Sequence, residues 1–92
     1  MSAKSDVVYE RTVRIPDGVD LHARPAGTLI RAAAGFASSI TLTAGEKTAD
    51  AKSILQVLGL GATGGTEITV ATAGADASDA LDAIAELLER LD

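Results

Sequence analysis

The chain has 92 residues, a net charge of −5, a single histidine, no cysteine, and only Tyr9 and Phe36 as aromatics. That length sets one domain, residues 1–92, whose thin core must rest on packing because no disulfide can form. The acidic charge and scarce aromatics exclude the basic stripe and stacking surface of a nucleic-acid binder, and the missing cysteines exclude thiolate nucleophiles and cysteine metal sites.

One histidine without cysteine also speaks against an ordinary metal centre, so neither a metal nor a cofactor is expected. No apolar run approaches the roughly 18–20 residues of a membrane span, so no membrane insertion is expected. The start, "MSAKSDVVYER", lacks the apolar centre of a secretory signal. Residues 1–6 read as a short flexible lead to a cytoplasmic monomer.

The segment "YERTVRI" alternates, with Tyr9, Arg11, Val13 and Ile15 on one side and Glu10, Thr12 and Arg14 on the other. It reads as a half-buried strand. "PDGVD" breaks it with proline and glycine. From Ala23 the period becomes helical: Ala26, Leu29, Ile30, Ala33 and Phe36 recur on one face, with Gly35 as the stop. "SSITLTAGEKTADAK" gives two short strands, Ile40 and Leu42 facing one way and Thr41 and Thr43 the other, joined at Ala44-Gly45-Glu46.

"SILQVLGLG" reads as a short apolar helix ended by glycines, and "GATGG" as a flexible connector. "TEITVAT" is a further alternating strand with Ile68 and Val70 inward. The last helix carries a stripe of Ala77, Ala80, Leu81, Ile84, Leu87, Leu88 and Leu91. Asp76 and Asp79 stand near its positive end. The order β-α-β-β-α-β-α in so short a chain implies an α+β fold. It is a four-stranded, mainly antiparallel sheet with three helices on one face and water on the other.

The lone histidine lies in "DLHARPAG". Pro25 suits the first turn of a helix, where an amide would have no intrahelical partner, and this puts His22 near the N-cap. The free first-turn amides and the positive dipole end then form an anion cradle beside the imidazole. Arg24 adds a guanidinium able to grip a phosphate with two hydrogen bonds. An imidazole nitrogen that is unprotonated offers a lone pair as nucleophile. No nucleotide-binding glycine loop accompanies it: "GLGATGG" lacks the adjacent lysine and hydroxyl pair that such a loop carries. The residues describe a domain that carries a phosphoryl group without drawing one from a nucleotide.

"LHARPAG" closely resembles the active-site signature of the HPr family, the histidine-containing phosphocarriers of the bacterial phosphoenolpyruvate-dependent sugar phosphotransferase system. "KSILQVLGLG" resembles that family's regulatory-serine region, and the likeness runs from about Tyr9 to Leu91. The resemblance implies an HPr-like open-faced sandwich and a carrier rather than an enzyme. His22 would take a phosphoryl group on Nδ1 from phosphorylated enzyme I and pass it to enzyme IIA domains for sugar uptake, with Arg24 stabilising the group in transfer. The chain departs from the family at Asp20, where glycine usually precedes the Leu-His pair. Gly27 is also unusual inside a helix.

Ser53 opens a Ser-x-x-Gln capping box with Gln56. The resemblance adds that Ser53 would be a regulatory phosphorylation site for an HPr kinase/phosphorylase, read by a catabolite-control regulator. Ile54, Leu55, Val57 and Leu58 cannot all face the core of so short a helix. Ile54, Leu55 and Leu58 are therefore expected as an exposed docking patch for enzyme I and enzyme IIA. Two other roles share the same fold: a carrier serving a dihydroxyacetone-kinase-type system, and a mainly regulatory binding module. The second is disfavoured by the intact His22–Arg24 pair.

Overall fold

The computed structural model describes residues 7–92, so the lead expected over residues 1–6 lies outside the described residues. The elements are β1 (Tyr9–Arg14), α1 (Ala23–Ala34), β2 (Ser39–Ala44), β3 (Lys47–Asp50), α2 (Ile54–Gly59), β4 (Glu67–Ala73) and α3 (Ala77–Glu89). The strands form one sheet in the order β1-β4-β2-β3, with every neighbouring pair antiparallel. The last strand to appear in the chain thus lies between the first two.

Alternation decides which face is covered. On the covered face Val13, Ile40, Leu42, Ile68 and Val70 are buried, and Ile15 just past β1 joins them. The three helices pack on this face. α1 supplies Ala26, Leu29 and Ala33, α2 supplies Val57, and α3 supplies Ala80, Leu81, Ile84, Ala85 and Leu88. Each large apolar side chain so buried contributes roughly 1.5–3 kcal/mol relative to an exposed one. The open face is small and polar, with Thr12 and Thr69 hydroxyls 2.9 Å apart on neighbouring strands. Thr72 is the polar residue of β4 on the covered face. Its hydroxyl donates to the Ala77 carbonyl at 2.7 Å, which satisfies it inside the core.

The expectation for the first half of β1 needs correction. Tyr9 and Arg11 share the face of Val13 but not its burial: Tyr9 is exposed, and Arg11 reaches Glu89 at 3.4 Å. β1 is an edge strand, and its first half lies at the margin of the helix layer. Phe36 falls beyond the end of α1 and packs half-buried against the core. Leu87 and Leu91 are likewise half-buried, while Ala85, outside the expected stripe, is fully buried. Asp76 is the N-cap residue of α3, yet its carboxylate does not cap that helix. It turns back to accept from the amides of Ala37 and Ser38, both at 2.9 Å, and from the Ser38 hydroxyl. The Ser38 oxygen in turn accepts from the Asp76 amide at 3.1 Å. This cluster joins the corner before β2 to the corner after β4.

Gly74, at φ 138°, makes that corner possible. A Cβ there would lie 2.7 Å from Ser38 Oγ and 2.8 Å from its Cα.

Candidate functional site

His22 is the N-cap residue of α1, extended at φ −94° and ψ −165°, and its side chain is exposed. Two features of the sequence place it there. Pro25 supplies a helical φ and lacks an amide that would need a partner. Leu21, the residue just before it, is buried and anchors the chain in the core. The first intrahelical bond runs from the Ala26 amide to the His22 carbonyl at 2.9 Å. Among the described residues the Ala23 and Arg24 amides have no backbone partner, and no side chain caps them. The imidazole therefore stands at a helix end whose donors are open to an anion.

Arg24 lies in the first turn and is exposed. Its Nη2 donates to the main-chain oxygen of Asp92 at 2.8 Å. This single bond tethers the side chain and leaves the rest of the guanidinium's donors without a protein partner among the described residues. His22, Ala23 and Arg24 are all exposed. Among the described residues there is no group of three metal-ligating side chains and no helix long and apolar enough to cross a membrane.

The segment leading to His22 is held against the connector between α2 and β4. The Ile15 amide donates to Thr66 O at 3.0 Å, the Gly65 amide to Ile15 O at 2.8 Å, and the Leu21 amide to Ala62 O at 3.0 Å. The "GATGG" stretch is thus not the flexible linker its glycines suggest. Gly64 presses so closely on the loop after β1 that a Cβ would sit 2.5 Å from Gly18 N and 2.9 Å from Pro16 O. Asp20, the departure from the family pattern, accepts from the Gly64 amide at 3.3 Å. Sequence reasoning missed this pairing, because nothing local announces a bond between positions so far apart.

α2 packs against α1 and β3. Ser53 is its N-cap, and Ser53 Oγ accepts from the Gln56 amide at 3.3 Å. The reciprocal half of the capping box is absent. Gln56 Oε1 instead accepts from the Asp50 amide at 2.9 Å, while the Ser53 amide donates to Asp50 O at 3.0 Å. The tight turn between β3 and α2 supplies a main-chain acceptor for Ser53, which frees Gln56 for the strand end. Val57 is fully buried, whereas Ile54, Leu55 and Leu58 are 40%, 80% and 37% exposed. The Leu21–Ala62 bond ties the His22 segment to the chain just past α2. Ser53 lies at the other end of that helix.

A small α+β domain that displays an exposed imidazole at an open helix end has the form of one that presents a group at its surface instead of enclosing a substrate. Residues 9–90 match the family model described as the PTS HPr component phosphorylation site. The chain is 48% identical over 56 residues to the phosphocarrier protein HPr of Mycoplasma capricolum, covering 61% of this chain and 63% of that protein. It is 40% identical over 63 residues to that of Haemophilus influenzae, covering 68% and 74%. The crystal structure of HPr from Bacillus anthracis superposes with a TM-score of 0.86 at 32% identity, over 90% of this chain and 99% of that one. The chain belongs to the HPr family of phosphocarrier proteins.

Proposed function

We propose that this protein carries a phosphoryl group on Nδ1 of His22, taking it from phosphorylated enzyme I and giving it to enzyme IIA domains in sugar uptake. The observation that carries this reading is the exposed imidazole at the N-cap of α1, beside the unpartnered amides of Ala23 and Arg24. The Nδ1 lone pair forms the new N–P bond as the bond to the donor breaks. The phosphoryl oxygens then lie where helix amides and the Arg24 guanidinium stabilise their charge. Transfer of this kind is chiefly positioning and charge stabilisation, which suits a site with so few parts. Exchange between proteins also requires that the imidazole be reachable by two different partners in turn, as an uncovered N-cap residue is.

The exposed Ile54, Leu55 and Leu58 are the apolar docking patch for both partners in this reading. Ser53 is a regulatory phosphorylation site for an HPr kinase/phosphorylase. A phosphate there adds about −1.5 to −2 charge next to the patch and weakens docking without altering the chemistry at His22.

The deciding experiment is transfer from labelled phosphoenolpyruvate through purified enzyme I. Acid-labile label is expected on the wild type and none on His22→Ala. Wild-type protein that stays unlabelled with its own enzyme I contradicts the proposal. With an HPr kinase and ATP, acid-stable label is expected and should disappear in Ser53→Ala; label that persists in that variant refutes the Ser53 assignment.

A further inference from the structure

Asp20 is bonded on two sides. Its carboxylate accepts from the Gly64 amide at 3.3 Å, and its carbonyl accepts from the His22 amide at 2.9 Å. Among the described residues it makes the one side-chain hydrogen bond between the segment leading to His22 and the connector after α2. The anchor at the other end does not move freely. Gly64 is wedged against the backbone of residues 16–18, and the Ile15–Thr66, Gly65–Ile15 and Leu21–Ala62 bonds hold the two segments together on either side.

We propose that Asp20 is a positioning residue for phosphoryl transfer, setting the direction of the His22 imidazole by clasping the loop before α1 to Gly64. This rests on the carrier function of His22 proposed above. The clasp fixes the peptide unit between Asp20 and Leu21, from which the His22 backbone continues into its N-cap conformation. A glycine at position 20 could not make it, so the departure from the family pattern has a structural consequence in this chain.

The test compares Asp20→Ala, which removes the acceptor, with Asp20→Asn, which keeps an amide oxygen for Gly64. Steady-state transfer from phosphorylated enzyme I is measured for each. Asp20→Ala is expected to lower kcat about tenfold while leaving KM nearly unchanged, since misplacing a reacting group costs rate rather than encounter. Asp20→Asn is expected to restore most of kcat. Amide exchange and side-chain relaxation by NMR, on the protein alone, should show a faster-exchanging Gly64 amide and a more mobile His22 ring in Asp20→Ala.

A wild-type kcat in Asp20→Ala, an Asp20→Asn as slow as Asp20→Ala, or an unchanged Gly64 amide and His22 ring in the alanine variant would each overturn the proposal. If the wild type takes no phosphoryl group, the carrier reading fails by itself. The NMR comparison still decides whether Asp20 orders the imidazole.

Discussion

The hydrogen bonds that Asp76 accepts, first from the Ser38 hydroxyl and then from the Ala37 and Ser38 amides, hold its carboxyl below its ordinary pKa of 3.8. A carboxyl whose pKa is lower in the folded chain than in the unfolded one contributes stability above the unfolded value, lost as pH falls through the folded one. Acid unfolding of the wild type should therefore steepen below about pH 4, and Asp76→Asn should flatten that limb while lowering stability at neutral pH. Thermal melts across pH check both. Ser38→Ala, which deletes the hydroxyl that serves Asp76 as donor and its amide as acceptor, should cost about 1–3 kcal/mol at neutral pH. Two glycines should respond oppositely to alanine. At Gly27 a Cβ meets only Arg31 Nη1 at 3.5 Å, an ordinary contact, so Gly27→Ala should stabilise by about 1 kcal/mol through helix propensity. At Gly64 a Cβ meets backbone at 2.5 Å, so Gly64→Ala should destabilise by about 1–3 kcal/mol. Denaturant melts decide both. The sequence exposes both glycines but not this difference, which depends on what the distant chain brings against each.

At the scale of elements, α2 separates what is local from what is not. Its apolar run, its glycine stop and its serine cap are all readable in "SILQVLGLG", because propensity and capping act within one or two turns. Gln56 was assigned to the wrong partner because the competing amide belongs to the end of β3, set by the β2–β3 hairpin. The same reason hid the structure of "GATGG": glycines signal a linker, and only the tertiary fold shows that these lie against residues 15–21. By contrast, the strands were legible throughout. Alternation needs only a sheet with one dry face, and it failed for Tyr9 and Arg11 where an edge strand outruns its cover. Ser53→Ala should lose about 1 kcal/mol with the surviving half of the cap, measured by denaturant unfolding. Leu55→Ala should leave stability within about 0.5 kcal/mol of wild type, since the side chain is 80% exposed. It should raise KM for enzyme I in the transfer assay if the exposed side of α2 is the docking patch.

Across the whole molecule, the wholly antiparallel sheet and its one covered face put the helices on the same side, with α1 packed against both α2 and α3. The N-terminal end of α1 is thereby held by distant parts of the chain: the Ala62 carbonyl after α2 accepts from the Leu21 amide, the Gly64 amide donates to the Asp20 carboxylate, and the Asp92 main-chain oxygen accepts from the Arg24 guanidinium. The layout of the candidate site was legible because His22, Arg24 and Pro25 lie within four residues and a helix start needs no distant partner to expose its amides. The support was not, since each of its bonds spans some forty residues or more. The central claim is that His22 bears the phosphoryl group, and long-range nitrogen–phosphorus NMR on the protein phosphorylated by enzyme I and phosphoenolpyruvate tests it most directly. The account predicts one phosphorus coupled to Nδ1 of His22, lost when an enzyme IIA domain is added. Phosphorus on another residue, on Nε2, or absent altogether would contradict it.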